Sequence, residues 1–161
     1  MTVSRPISHR LTLRSATRAD VGAAERLLAA CDLPVEDLAE LLRDHAADFV
    51  VADDPGTPGE LAAIAGLEVR GPHALLRSVA VRPEWRKRGV GDELVRYLVC
   101  EAESRGLRAL YLLTMTAERY FPRLGFERIE RDSVPAEIAD TREFRSTCPA
   151  SAIAMCRRVL A

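Results

Sequence analysis

The order of its predicted elements places this chain in the mixed α/β class, with helices packed on the faces of one sheet. Runs that alternate polar and apolar residues, or that are apolar throughout, predict strands. Apolar residues that recur three and four positions apart predict helices. Antiparallel strand signals come first and a strand–helix–strand–helix run follows them, and this succession predicts a sheet with both antiparallel and parallel neighbours.

The first third of the chain predicts one edge strand, two helices and a central strand. RLTLRS alternates polar and apolar residues, and a Thr-Arg-Ala-Asp helix start precedes alanines and leucines at helical spacing. Valine and leucine repeat in the same way after Pro34, and FVVA is an apolar run. The predicted elements are a strand at 10–15, a helix at 17–30, a second helix from Pro34 and a strand at 49–52.

The remaining elements are separated by glycine and proline turns, such as the one at 54–59. They are strands at 61–70 and 74–81, a helix at 89–104, a strand at 109–114, a short helix at 117–124 and strands at 126–131 and 152–159. The stretch between the last two strands is predicted to be irregular. The order is β-α-α-β-β-β-α-β-α-β-β in one domain at 10–161, after a flexible tail at 1–9.

The overall composition argues against several classes of function. Lys and Arg number 23 against 24 Asp and Glu, so the chain lacks the basic surplus of a nucleic-acid-binding protein. No apolar run approaches the ~20 residues of a membrane span, and 1–10 contain no apolar core of a secretion signal. The four cysteines form no CxxC pair, so we expect reduced thiols, no metal and a cytoplasmic location. A monomer and a homodimer are both compatible with the sequence.

A basic glycine turn follows the strand that ends at Val81. Arg86, Lys87 and Arg88 precede Gly89 and Gly91, and a helix begins there. The N–H groups and positive dipole end of a helix N-terminus attract anions, and glycine lets a phosphate approach the backbone closely. A phosphate site and a solvated glycine turn account for these residues equally well on their own. The Walker and dinucleotide-binding glycine patterns are both absent.

Two motifs in the right order resemble the GNAT acetyltransferases. Arg86-x-x-Gly89-x-Gly91 is similar to their [Q/R]xxGx[G/A] pyrophosphate motif, and the preceding Ser78-Val-Ala-Val resembles their splayed, pantetheine-binding strand. Tyr120-Phe-Pro-Arg-Leu-Gly-Phe126 is similar to their YxxxGF element. The resemblance implies acetyl transfer from acetyl-CoA to an amine. It places the co-substrate on Val79, Ala80, Val81, Arg86, Lys87, Arg88, Gly89, Val90, Gly91, Asp92, Thr114 and Phe121.

The resemblance also implies catalytic roles, with two departures from the family pattern. The N–H of Val79 is expected to stabilise charge on the thioester oxygen. The family's acid tyrosine aligns with Phe121, and Tyr120 is either an acid displaced by one position or a packing aromatic. The glutamate that many members carry on the strand ending at Val81 is replaced by Leu75 or Leu76. Glu68 on the neighbouring strand is the nearest candidate base, and it shares a strand face with Arg70. The catalytic candidates are Glu68, Val79 and Tyr120.

Arginines mark the predicted acceptor site. Arg77 lies in an apolar strand, where an unpaired guanidinium is costly, so it binds either a substrate carboxylate or an internal acid. The predicted substrate-binding residues are Glu68, Arg70, Arg77, Ser78, Arg142 and Arg145. The run Thr141-Arg-Glu-Phe-Arg-Ser-Thr-Cys-Pro-Ala-Ser-Ala152 resembles the arsenic-resistance N-acetyltransferases, which implies detoxifying N-acetylation of a small amino acid, with an arsenic-bearing one among the candidates. Cys148 within it is expected to be a buried structural thiol, and His9, His45 and His73 are expected to be surface residues.

Three other functions fit the same motifs. The phenylalanine at the acid position is also similar to N-acetylglutamate synthases, which acetylate an amino acid. A protein or peptide acetyltransferase would share the chemistry but would need an open, acidic groove. A non-catalytic acyl-CoA-binding regulator would explain the missing tyrosine and glutamate.

Overall fold

A computed structural model describes residues 11–147 and 151–159 of the chain. The predicted tail at 1–9, with His9, and the predicted thiol of Cys148 lie outside these residues. Eleven strands and helices are defined, besides short 3₁₀ and π turns. They are β1 (Leu13–Ser15), α1 (Val21–Ala30), α2 (Leu38–His45), β2 (Phe49–Asp53), β3 (Leu61–Arg70), β4 (His73–Val81), α3 (Val90–Ser104), β5 (Ala109–Thr114), β6 (Glu127–Ile129), α4 (Ala136–Ala139) and β7 (Ile153–Arg158).

The described strands form one mixed sheet, which confirms the predicted fold class. Its order is β1-β2-β3-β4-β5-β7-β6. Strands β4 and β5 pair in parallel, whereas β1–β2, β2–β3, β5–β7 and β6–β7 pair antiparallel. The chain divides into two compact units, which are described separately. Of the described residues, the first unit comprises 11–66 and Ser78–Leu98, and the second comprises Leu67–Arg77, 99–147 and 151–159.

The core of the first unit is built from the apolar faces of α1 and α2 and from β2. Leucines four residues apart on α2, Leu38 and Leu42, are fully buried, and Leu27 and Leu28 of α1 join them with Phe49. Their spacing puts them on one helix face, so the helices pack through it. Helix α2 begins at Leu38 and not at the predicted Pro34, because Asp37 takes a left-handed conformation with φ of 61° just before it.

An arginine bridge fixes the edge strand of this unit. Arg14 on β1 donates two hydrogen bonds to Asp20, at 2.8 and 2.9 Å, and two to Asp53, both at 2.9 Å. Hydrogen bonding to Arg14 holds the pKa of both carboxyls below the usual value. Asp20 also accepts the N–H of Thr17 at 2.8 Å, which caps the helix start predicted there.

The second unit differs most from the prediction. The predicted helix at 117–124 is wrong, because only a 3₁₀ turn forms at Phe121–Leu124. Pro122 lacks an N–H and its ring restricts the residue before it, so a regular helix cannot run through this point. The stretch predicted to be irregular instead contains α4 and a π turn at Glu143–Thr147. The observed order is therefore β-α-α-β-β-β-α-β-β-α-β.

The segment around α4 is packed onto the strands of the second unit. Ile138 is fully buried, and it clusters with Phe144, Leu75 and Leu113. His73 Nδ1 lies 2.7 Å from Glu137 Oε1, and this contact lowers the pKa of Glu137. The prediction that His73 is a surface residue is wrong, because its ring is half-buried against Tyr111 and tied to α4. No helix in the described part of the chain is long and apolar enough to span a membrane.

Replacing Gly66 with alanine is expected to destabilise the fold. A Cβ at this position would lie 2.3 Å from Cδ1 of Phe49, whose ring is 1% exposed and has no room to move. Overpacking of this kind costs about 1–3 kcal/mol, which chemical denaturation measures. Gly56→Ala is the matched control, since its Cβ would meet Asp54 Oδ1 at an ordinary 3.5 Å. Equal stability of the two variants would contradict the packing argument.

Candidate active site

The basic glycine turn forms a left-handed loop between β4 and α3. A 3₁₀ turn at Pro83–Trp85 follows β4, and Arg86 after it is extended. Lys87 and Gly89 are left-handed, with φ of 63° and 78°. Alternation of left-handed with ordinary residues turns successive N–H groups toward one side, which makes a concave anion site. Gly89 accepts the first helical hydrogen bond, from Glu93 N–H at 3.1 Å, so the loop leads directly into the helix N-terminus.

The side chains of the loop are held by the first unit. Arg86 donates from Nε to the carbonyl of Val81 at 2.9 Å and from Nη2 to Cys31 Sγ at 3.5 Å. The Arg88 guanidinium lies 4.9 Å from the centre of the Trp85 ring. Asp92 lies in the first turn of α3, where an acid interacts favourably with the helix dipole. Cations, left-handed backbone and a helix N-terminus are together the features of an anion-binding site.

Strand β4 changes conformation just before this loop. Ser78 has φ of 58° within an otherwise extended strand, a conformation that a serine rarely adopts. Such a residue bends a strand and re-aims the peptide groups that follow, here those of Val79 and Ala80. The bend lies where the family resemblance predicts the splayed strand. The first unit contains all the predicted CoA-binding residues of this part of the chain, which are Val79, Ala80, Val81 and 86–92.

Tyr120 and Phe121 lie in the second unit. Tyr120 directly precedes the 3₁₀ turn, and Phe121 is the first residue of that turn. Phe121 is 7% exposed and packs edge-to-face on Tyr120 and Phe126, with ring centres 5.1 and 5.7 Å apart. Tyr120 is half-buried beside it. The hydroxyl of Thr114 accepts the Ala117 N–H at 3.0 Å, so it caps the bend after β5. These contacts give Phe121 a packing role in the turn.

A buried carboxylate joins two of the predicted acceptor arginines. Glu68 Oε1 accepts Arg77 Nη1 at 2.9 Å, and Glu68 Oε2 accepts Arg70 Nη2 at 2.7 Å and Nε at 3.2 Å. The predicted Glu68–Arg70 pair is confirmed. Arg77 takes the second of its two predicted partners, an internal acid, and its side chain is 3% exposed.

Three of the four predicted substrate arginines line one cavity, and Arg77 does not. The cavity has a volume of about 400 Å³ and is lined by Arg70, Asp140, Arg142 and Arg145. Arg145 and Asp140 are exposed and 3.4 Å apart. Asp140 was not predicted from the sequence, although it directly precedes the run at 141–152. Three arginines and one aspartate leave an excess of two positive charges, which favours an anionic ligand. No group of residues in the described ranges is arranged to hold a metal ion.

Comparison with known proteins identifies the family that carries these features. Residues 18–126 match the Acetyltransferase (GNAT) family. This chain belongs to the GNAT acetyltransferase family. It is therefore an acetyl-CoA-dependent N-acetyltransferase, and the family resemblance of its two motifs is confirmed.

Individual relatives agree with this assignment. The amino-acid acetyltransferase of Mycobacterium tuberculosis is 31% identical over 139 residues, which cover 84% of this chain and 79% of that protein. A solved M. tuberculosis protein in complex with CoA has a TM-score of 0.72 and 25% identity, over 92% of this chain and 99% of that one. N-acetylglutamate synthase from Neisseria gonorrhoeae, complexed with CoA and N-acetyl-glutamate, has a TM-score of 0.76 at 19% identity, and the match covers 96% of this chain but 36% of that one.

Gly89→Asp is expected to raise the Kd for CoA at least 10-fold, because a carboxylate at this position repels the pyrophosphate. Gly59→Asp is the control: Gly59 has a similar φ of 83°, and neither Cβ would meet an atom within 4 Å. Both variants therefore carry the same backbone strain of about 1–2 kcal/mol. Isothermal titration measures the Kd for CoA of both variants, and the difference between them reports the effect of the carboxylate at position 89 without that of backbone strain. Equal affinities in the two variants would place the pyrophosphate elsewhere.

Phe121→Tyr is expected to leave kcat within about threefold of wild type or to raise it, because the family resemblance places Phe121 where other members carry their acid tyrosine. Phe121→Ala is expected to destabilise the turn by about 3–5 kcal/mol, as for other buried phenylalanines. Steady-state kinetics and thermal unfolding measure the two effects. A collapse of kcat in a folded Phe121→Tyr protein would show that Phe121 does not occupy the acid position.

Proposed function

We propose that this GNAT enzyme acetylates the α-amine of a small, anionic amino acid. The arginine-lined cavity is the observation that carries the proposal, because an arginine binds a carboxylate through two parallel hydrogen bonds. The 31% identity to an amino-acid acetyltransferase supports the same acceptor class. A protein or peptide acceptor would need an acidic groove, and the cavity has the opposite charge.

The acceptor amine must lose its proton before it attacks the thioester. A carboxylate or an ordered water would receive that proton. Glu68 was the predicted base, but both of its oxygens already accept guanidinium hydrogen bonds, and its side chain is 5% exposed. We therefore assign proton removal to water at the cavity. We also propose that the Val79 N–H, beyond the bend at Ser78, stabilises the charge that develops on the thioester oxygen.

The finer proposal is that the acceptor carries a second oxyanion, as an arsenic-bearing amino acid does. Its support is the run at 141–152, which resembles the arsenic-resistance enzymes and contributes Arg142 and Arg145 to the cavity. The excess of two positive charges matches one carboxylate and one further anionic group. A dicarboxylic amino acid, as in an N-acetylglutamate-synthase-like reaction, satisfies the same charges, so the two candidates differ in the size and geometry of the second anion.

A thiol-release assay with matched acceptors tests the proposal. The panel contains glutamate, aspartate, an arsinate-bearing amino acid, neutral amino acids, the decarboxylated amine of each and a short peptide. We expect turnover on acidic amino acids and little on the amines. Equal turnover of amines and parent acids contradicts carboxylate recognition, and turnover of the peptide alone indicates a protein acceptor. CoA binding without turnover of any acceptor indicates a regulator.

Arg142→Met is expected to raise the acceptor KM about 10- to 100-fold without changing the Kd for CoA. A hydrogen bond to a charged group contributes about 1.5–3 kcal/mol, and each 1.4 kcal/mol is about a tenfold change. Arg128→Met is the control, because Arg128 is an exposed arginine on β6 of the same unit. KM values that respond equally to the two substitutions would contradict a specific role for Arg142.

A further inference from the structure

Glu68 lies between two arginines that have very different environments. Arg77 on one side is 3% exposed, whereas Arg70 on the other is 40% exposed and lines the cavity. Glu68 itself is 5% exposed and gives one oxygen to each partner. A buried carboxylate therefore connects a buried cation to a cation that faces the acceptor site.

The hydrogen bonds leave a defined part of Arg70 for a ligand. A guanidinium has five N–H donors, and Arg70 gives Glu68 its Nε–H and one Nη2–H. The end of the guanidinium that carries both Nη1 donors and the second Nη2 donor is left over. That end has the spacing of a carboxylate, which it binds through two parallel bonds. The side-on bond to Glu68 thus fixes the plane in which Arg70 presents its end.

Arg77 changes the net charge behind the cavity. Arg70 and Glu68 alone would be neutral as a pair and would attract an anion weakly. Arg77 adds a second positive charge next to the buried carboxylate at 2.9 Å, so the three residues carry a net charge of one positive unit. Arg77 also gives the buried carboxylate a second partner, without which burial of its charge is costly.

We infer that Glu68 is a positioning residue that orients Arg70 for the acceptor's carboxylate, and that it is not the proton acceptor. The inference rests on the proposed acceptor class. It assigns Arg77 an indirect role: Arg77 holds Glu68, Glu68 holds Arg70, and Arg70 binds the substrate.

Kinetics of Glu68→Gln distinguish the two roles of Glu68. Loss of the charge with little change of shape is expected to raise the acceptor KM at least 10-fold. The kcat is expected to stay within about threefold, and the acid limb of the pH profile of kcat/KM is expected to keep its position. A general base would behave differently, with kcat lowered about 10²- to 10⁴-fold, KM unchanged and the acid limb lost. That second pattern overturns the inference, as does a variant identical to wild type.

A control and a second variant separate positioning from damage to the fold. Glu60→Gln removes a carboxylate ion-paired with Arg26 at 2.9 Å outside the site, and wild-type kinetics are expected. If Glu68→Gln does not fold, the double variant Glu68→Leu/Arg77→Met removes both buried charges together. We expect it to bind CoA normally and to show the same rise in acceptor KM. A folded double variant with wild-type KM overturns the inference.

Nuclear magnetic resonance of arginine Nε–H groups tests the geometry independently of activity. A slowly exchanging Nε–H signal is expected for Arg70, identified by its loss in Arg70→Lys, and it is expected to broaden in Glu68→Leu/Arg77→Met. An unchanged Arg70 signal overturns the inference.

The two proposals fail in different ways. If the wild type acetylates no amino acid, the proposed function fails, and the signal still decides whether Glu68 holds Arg70. If the wild type does acetylate amino acids, but substitution of Glu68 changes neither the acceptor KM nor the Arg70 signal, only the positioning role fails.

Discussion

A single buried carboxylate, Glu68, holds together the charged residues behind the arginine-lined cavity. Glu68 is almost fully enclosed and accepts hydrogen bonds from Arg77 and Arg70. Removing one partner of a buried ion pair costs about 3–5 kcal/mol, because the other charge is left without compensation. The end of β3 and the middle of β4 are therefore joined by an ion pair as well as by backbone hydrogen bonds. The orientation of Arg70 at the cavity thus depends on a buried interaction behind it.

Strand β4 serves two chemical purposes because it changes conformation at Ser78. The residues before this point, including Arg77, belong to the second unit, and those from Ser78 onward belong to the first. The left-handed backbone at Ser78 lies at this division, and the left-handed loop with Lys87 and Gly89 follows several residues later. Strain in a non-glycine residue is usually kept where the surrounding structure requires it and where function benefits.

The sequence allowed most of the fold to be predicted, but less of the site. The bounds of β3 and β5 agree with the prediction, because long apolar runs between turns leave little ambiguity. The predicted helix near Phe121 is wrong because Pro122 prevents a regular helix from running through a segment whose apolar residues have helical spacing. The cost of burying a charge limited the partner of Arg77 to two classes, a substrate carboxylate or an acidic residue of the protein. Choosing between them requires the distance between side chains on neighbouring strands, which periodicity within one strand does not contain.

The cavity draws its arginines from two kinds of structure, and this arrangement affects how the enzyme can diversify. Arg70 is fixed on a strand by the buried pair. Arg142 and Arg145 are exposed side chains on the segment after α4, which Ile138 and the His73–Glu137 contact hold in place. Surface substitutions usually change stability by no more than about 0.5 kcal/mol. Evolution can therefore alter the exposed segment and retain the strand arginine. The charge and shape of the cavity can thus change by small steps, while the cation on the strand stays unchanged throughout.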